Sequence, residues 1–266
     1  MAYRLTKENK ALLLELVRTD FKLRYQGSAL GYMWSLLKPL LMFVILYVVF
    51  VFFLKMDKGV PHFPVYLLLG VVLWNFFVET TVQSLGSVVG RGELIRKVKI
   101  PRWMIPVSTG IAALINLCLS LVVVAIFMLV NGVRPEMSIA LLAANVFMLY
   151  AFAFGCSLFL SAAYVKFRDI SYIWDVVLQA GFYATPIIYA ITIVPNTLIQ
   201  KLLLLNPIAM VIQDARHNVI DHSIPTVWTM YHNYIWLIVP YGVIVAVVAF
   251  GIWYFKKESK SFAENI

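Results

Sequence analysis

Residues 63–102 read FPVYLLLGVVLWNFFVETTVQSLGSVVGRGELIRKVKIPR. From Phe63 to Val78 the stretch is richly apolar, with Asn75 its one amide, and from Glu79 to Gly90 it turns polar and small without a basic residue. Only then do Arg91, Arg96, Lys97, Lys99 and Arg102 arrive. A helix crossing the ~30 Å hydrocarbon layer takes ~20 largely apolar residues, so this reads as one crossing followed by a basic loop. Working outward, the same length of apolar sequence recurs at 33–54, 63–90, 105–130, 139–165, 170–191 and 234–255. Of the 266 residues 62% are hydrophobic and 13% charged, against roughly 45–50% and about 25% in soluble domains. That composition excludes a soluble enzyme. The expected fold is an all-α polytopic membrane protein with six transmembrane helices.

The formal charge of +9 could suggest nucleic acid, but its placement points elsewhere. Sixteen basic residues fall in the N-terminal segment, in 91–102, at Lys166 and Arg168, and in the tail. Lys55, Lys58, Arg134, Lys201 and Arg216 occupy the alternate connections, and Lys38 lies in the first span. Basic residues concentrate on cytoplasmic loops, so both termini are expected in the cytoplasm and the charge is chiefly a topology signal. The early apolar runs are too short and too interrupted for a cleaved signal peptide. Cys118 and Cys156 lie in apolar stretches and read as small hydrophobes, not as a disulfide or zinc framework. Three regions are expected: 1–32 as a cytoplasmic interfacial helix, 33–255 as the transmembrane domain and 256–266 as a cytoplasmic tail.

The N-terminal segment carries Leu12, Leu13, Leu14, Leu16, Val17, Phe21 and Leu23 on one helical arc, with Lys7, Glu8, Glu15, Arg18 and Lys22 opposite. That is the pattern of a helix lying on a membrane surface. Asp20 and Arg24 are four apart and of opposite sign, so they can pair on one face, either as an anchor for a partner surface or as a solvated pair of little weight. Asn75, Glu79 and Gln83 recur every four residues and stack on one face of the second span. At membrane depth such groups face a wet passage or a neighbouring helix, which leaves Glu79 either a pathway residue or a satisfied buried carboxyl.

About 40 residues join the last two spans, long for a connection without function. Leu198 to Ile212 is largely apolar and is broken by Asn206-Pro207, where Asn can cap a helix and Pro suits its first turn. One short helix ending near Leu205 and another starting at Pro207 are expected, as a re-entrant pair at an exit or as a hairpin lying on the surface. In the 90–102 loop, Leu94, Ile95 and Val98 sit at helical spacing among basic residues, between Gly92 and Pro101. This short amphipathic helix could rest on anionic lipid or enter a groove on a soluble partner.

No G-x-x-x-x-G-K-[ST] loop occurs, so the chain has no nucleotide cradle of its own, and no H-E-x-x-H or G-x-S-x-G pattern occurs either. His62, His217, His222 and His232 fall in or beside external connections at spacing unsuited to a metal, and none is expected. Trp74, Tyr150, Trp174, Phe182, Tyr183 and Tyr189 lie in candidate spans, where aromatic faces could meet sugar rings or simply pack and anchor. Tyr183 and Tyr189 stand out because Pro186 between them should break the helix and free backbone carbonyls beside a cavity.

The run Thr19-Asp20-Phe21-Lys22-Leu23-Arg24-Tyr25-Gln26-Gly27-Ser28-Ala29-Leu30-Gly31-Tyr32-Met33-Trp34-Ser35-Leu36-Leu37-Lys38-Pro39 closely resembles the N-terminal signature of permease subunits of ABC type-2 polysaccharide exporters. That group exports O-antigen, capsule, teichoic acid and related wall glycans. Glu93-Leu94-Ile95-Arg96-Lys97 with Ile100-Pro101-Arg102, then Phe167-Arg168-Asp169-Ile170, Phe182 to Tyr189 and Leu205-Asn206-Pro207 continue the likeness in order over nearly the whole chain. The resemblance implies a homodimer with a passage between protomers, driven by two separate ABC ATPase subunits that hold ATP and Mg, with no cofactor in this chain. It implies that Glu93, Leu94, Ile95, Arg96, Lys97, Ile100, Pro101 and Arg102 couple to the ATPase and that Asp20, Arg24 and Tyr25 belong to the interfacial helix. The re-entrant pair at Asn206 and Pro207 would be the external gate. With these go Asn75, Glu79, Gln83, Trp174, Tyr183 and Tyr189 as passage-lining candidates. Membrane lipid and a lipid-linked polysaccharide are the other expected partners, in a bacterial or archaeal cytoplasmic membrane. Two rivals are weighed beside this: a proton-coupled secondary transporter using Glu79, which should show matching broken helices in both halves, and a membrane glycosyl or acyl transferase, which should show clustered Asp and His.

Overall fold

The computed structural model describes residues 7–25, 31–55, 60–97, 101–231 and 234–262, and among these there are helices and no strands. The surface helix is α1, Lys7–Tyr25, followed by α2, Trp34–Tyr47, which runs on as a π-helix to Phe53. Then come α3, Phe63–Ser87, the six-residue α4, Gly92–Lys97, α5, Met104–Val130, and α6, Leu141–Lys166. The last part holds α7, Ile170–Ala184, the short α8, Thr197–Leu204, α9, Pro207–Val219, α10, Val227–Met230, and α11, Tyr234–Glu258. The chain is an all-α polytopic membrane protein. Among the described residues five helices are long and apolar enough to cross a bilayer.

The central helix is α3. Its first half is buried on nearly every side, from Val65 to Trp74, between α5, α6 and α9. Hydroxyls rather than bulk carry its second half. Thr80, Thr81 and Ser84 return their protons to the carbonyls of Phe76, Phe77 and Thr80, the internal bonding that lets a hydroxyl sit in a helix wall. Ser84 meets Thr109 of α5 at 3.1 Å, and Ser157 of α6 donates to the Thr80 carbonyl. These contacts fix direction: α5 runs antiparallel to α3, and α6 runs parallel to it.

Helices α6 and α11 also run parallel, in backbone contact. A Cβ on Gly251 would fall on the carbonyl oxygen of Gly155, and one on Gly155 would lie 2.9 Å from the Val248 backbone. Glycine here permits an approach that lipid-immersed helices use to gain packing. Further along, Lys166 Nζ lies 2.6 Å from Glu258 Oε2. Parallel neighbours require one net crossing between Lys166 and Tyr234, and α7 makes it. Trp174 meets Thr81, Gly181 faces Trp74, and the Ile187 carbonyl reaches Gly70, so α7 climbs antiparallel to α3.

This corrects the span expected over 170–191. Its helix stops at Ala184 after fifteen residues, about 22 Å at 1.5 Å per residue and short of the ~30 Å layer. Thr185 is already extended, at φ −100° and ψ 135°, because the ring of Pro186 bars the helical region to the residue before it. A turn and a series of bends over 185–189 carry the chain on from there. The two short helices after it, α8 and α9, meet at 98° and stay at the end of the bundle away from α4. Ser138 donates to the Asn218 carbonyl there, and His222 lies 2.9 Å from Glu136.

Candidate functional site

At the α4 end, three segments meet. Arg91, in the turn after α3, pairs with Asp20 of α1 and donates to Ser108 Oγ of α5 at 3.2 Å, and Ser108 lies 2.8 Å from the second Asp20 oxygen. Both charged side chains are largely buried, at 18% and 14% exposed. Beside them Leu16 and Val17 of α1 are buried, while Leu14 stays exposed, so α1 rests on the bundle along a narrow strip. The partner of Asp20 among the described residues is thus Arg91, 71 positions away, where the sequence spacing offered Arg24. The side chains of Arg24 and Tyr25 lie outside the described residues.

The short helix α4 hangs from this junction. Ile95 is its buried foot, in a cluster with Val88, Ile105, Leu158, Val165, Phe255 and Phe262. Glu93, Arg96 and Lys97 are exposed, with Lys97 and Glu93 paired at 2.9 Å, and Leu94 is half-buried. Pro101 is buried and Arg102 half-buried, and Ile100 lies outside the described residues. The segment expected as a tail begins inside α11, and its Phe262 is buried against Phe255 with ring centres 5.5 Å apart.

Along the second half of α3, one face is left open: Asn75, Val78, Glu79 and Gln83 are half-buried, and Val82 and Gly86 exposed. Glu79 accepts from Asn116 Nδ2 of α5 at 2.5 Å and from Gln83 Nε2 at 3.4 Å. Two amides supply hydrogen bonds to this carboxyl. Next to this face α7 buries only Leu178 and presents Tyr172, Asp175, Gln179 and Tyr183 along one exposed line. Asp175, Gln179 and Tyr172 were not singled out from sequence, though their spacing of three, four and four with Tyr183 is the helical signal that finds them. Trp174 behaves differently. It turns to α3, donating to Thr81 Oγ1 at 3.1 Å beside Phe77. Trp74 and Phe182 pack on each other at 5.9 Å, and Tyr150 stacks on Phe76. Of the aromatic candidates, Tyr183 is open at 63% exposed, and Tyr189 donates back to its carbonyl at 3.3 Å.

At the other end, Asn206 caps α9 by accepting from Ile208 N at 3.0 Å, and its amide donates to Thr185 Oγ1 at 3.1 Å. The elbow at Asn206 and Pro207 is therefore fastened just past the end of α7. Arg216, counted from sequence among the loop cations, is instead fully buried. Its Nε donates to the Tyr66 carbonyl at 3.0 Å, Nη1 to Pro186 O at 2.6 Å and to Gln213 Oε1 at 3.0 Å, and Nη2 to Ile187 O at 2.7 Å. The carbonyls of Pro186 and Ile187 are thus taken up inside the protein. Asp214 is buried too, but two residues along a helix point apart, and its Oδ1 has no hydrogen-bond partner among the described residues.

Three histidines bear on the metal question, and His232 lies outside the described residues. His217 lies 2.9 Å from the Ile224 carbonyl and His222 beside Glu136. Among the described residues no set of three His, Cys, Asp or Glu could hold a metal ion.

Against known proteins, the sequence profile of the ABC-2 type transporter family matches residues 11–220. Two proteins from Klebsiella pneumoniae, each named O-antigen export system permease protein RfbA, are 31% and 30% identical over 257 residues. Each match takes in 95% of this chain and 94% of the relative. A Myxococcus xanthus protein of the same name is 28% identical over 217 residues, 81% of this chain and 83% of its own.

Proposed function

The chain belongs to the ABC-2 type transporter family, and on that footing we propose that it is the membrane-spanning permease subunit of an ATP-driven polysaccharide exporter. The cargo is a lipid-linked cell-surface polysaccharide, O-antigen or a similar wall glycan such as teichoic acid, moved outward across a bacterial or archaeal cytoplasmic membrane. The observation that carries this reading is near full-length similarity to O-antigen export permeases, 31% over 95% of the chain. ATP and Mg belong to two separate ABC ATPase subunits, since this chain lacks a nucleotide loop.

Physical chemistry supports the cargo and the assembly. Sugar hydroxyls and a diphosphate pay several kcal/mol each to enter hydrocarbon unpaired, so the glycan needs a hydrated route. One copy leaves the half-buried Asn75, Glu79 and Gln83 face and the exposed Tyr172 to Tyr183 line partly open, beside an α2 that buries only Phe43. A second copy related by a two-fold axis would close these faces around a passage. The α8 and α9 pair is its external gate.

The work of this subunit is conformational. With both termini in the cytoplasm, as the basic loops suggest, α4 faces the ATPases and docks on them through Glu93, Arg96 and Lys97. Because Ile95 is buried and Arg91 grips Asp20 and Ser108, a push on α4 is delivered to α3, α5 and α1 together. The proton-coupled alternative at Glu79 is not favoured, since the family match supports ATP-driven transport and, among the described residues, the broken pair has no counterpart in the first half.

Depleting the protein should trap lipid-linked glycan inside the cell, and purification from native membranes should bring down a stoichiometric ATPase. A chain that purifies without an ATPase, or depletion that leaves surface glycan intact, overturns the reading. Changing Arg96 and Lys97 together to Glu should leave ATP hydrolysis running while export stops, read as ATP consumed per glycan exported. Undiminished export in that double variant removes α4 from the docking role.

A further inference from the structure

We propose that Arg216 is the positioning residue of the gate end: its guanidinium holds the irregular stretch 185–190, and with it Tyr183 and Tyr189, against α3 and α9, beside the Asn206 amide that holds Thr185. The proposal deepens the exporter reading, since it is on that reading that these tyrosines border the passage. The problem Arg216 solves begins at Pro186. The helical ladder ends with Thr185 N on the Gly181 carbonyl at 2.9 Å, yet Thr185, Pro186, Ile187 and Ile188 are all buried. Carbonyls without donors are costly at membrane depth. The Pro186 and Ile187 carbonyls both receive an N–H from Arg216, and a third goes to Tyr66 of α3.

A guanidinium suits this place because it offers five donors in a rigid fork and no acceptor. Four of the five find oxygens here, three on backbone and one on Gln213, which also accepts from the Tyr66 hydroxyl at 3.3 Å. The plane lies 3.5 Å from the centre of the Tyr66 ring, the distance of a close cation–π contact. Among the described residues no carboxylate lies within ion-pair reach, so carbonyl dipoles and a ring carry the charge, as they do for cations inside membranes. Room for the fork comes from Gly70. A Cβ there would fall on Nη2 and come within 3.3 Å of the Ile187 carbonyl.

Two substitutions therefore break the same fastening from opposite sides: Arg216→Met removes the donors and Gly70→Ala displaces them. The test uses the full chain in native membranes, with Cys118→Ala to silence an exposed thiol and Tyr189→Cys as the reporter. Cys156, on α6 away from the fastening, stays as the internal control. Under a membrane-impermeant maleimide, Tyr189→Cys should label more than about tenfold faster in either variant, a tenfold change being ~1.4 kcal/mol of opening free energy. Cys156 should stay at its original rate, and Arg216→Lys, which keeps the charge but not the fork, should fall between. Should Arg216→Met be lost from the membrane, Gly70→Ala decides alone.

An unchanged Tyr189→Cys rate in the folded variants overturns the proposal. So does a parallel rise at Cys156, which would make Arg216 a general stabiliser. The labelling does not depend on cargo, so a wild-type protein that exports no glycan sinks the exporter reading and leaves this measurement standing.

Discussion

At the Phe63 end of α3 a guanidinium meets carbonyls, and at the Ser87 end another meets a carboxylate. Arg216 has no exposed surface and stands in for hydrogen bonds that an interrupted helix cannot make. Arg91 keeps 18% of its side chain exposed and joins α1 to α5 through Asp20 and Ser108. The first contact is a repair of backbone, fixed by where Pro186 falls. The second is a link between elements that would each fold without it. Breaking them should therefore differ in kind as well as size: one loss opens a wall, the other loosens a strut.

The largest effect belongs to Arg216→Met. It strands the Tyr66, Pro186 and Ile187 carbonyls in the interior, and the 185–190 stretch is expected to lose about 3–5 kcal/mol of the free energy that keeps it closed, the scale of breaking a buried charged contact. The maleimide rate at Tyr189→Cys reads it directly, with Cys156 unmoved. If the comparison is right, Asp20→Asn costs less, about 1–3 kcal/mol, because Arg91 can still reach Ser108 and some water. Its signature is local: α1 should become cleavable by protease while the melting of the bundle scarcely moves. Equal global destabilisation in the two variants would erase the distinction drawn here. Smallest of all is Lys97→Ala. Its pair with Glu93 is exposed on both sides and one helical turn apart, so melting should not change measurably.

How much of this could be read from the chain differs along its length. Apolar runs of span length mark α2, α3, α5, α6 and α11 because burial in lipid needs only composition and length. The Asn206-Pro207 elbow was legible since capping is local: the Asn206 side chain bonds two residues on. Pro186 announced a break, but the length of helix surviving before it was overestimated, and the fate of the freed carbonyls was not visible. Arg216 reaches Tyr66 over 150 positions and Arg91 reaches Asp20 over 71, and no periodicity encodes such pairings. Charge counting even misfiled Arg216, since a tally by connection treats every cation as solvated. The one hint was a single Arg in the mostly apolar run after Pro207, opposite a glycine set among bulky residues at position 70. At the α4 end, the packing of the segment after residue 256 is hidden for a similar reason. Phe262 is one aromatic in a charged segment, and only its packing on Phe255 shows that it belongs to the bundle.

The missing methyl at position 70 carries a consequence for how such a chain can change over time. Any larger residue there intrudes on the guanidinium of Arg216, so neither site is free to drift by itself. Lineages that gained alanine or serine at 70 should have traded the arginine for a shorter donor, and the proline at 186 for a residue that lets α7 run on. Three substitutions scattered across the gene would then be inherited as one.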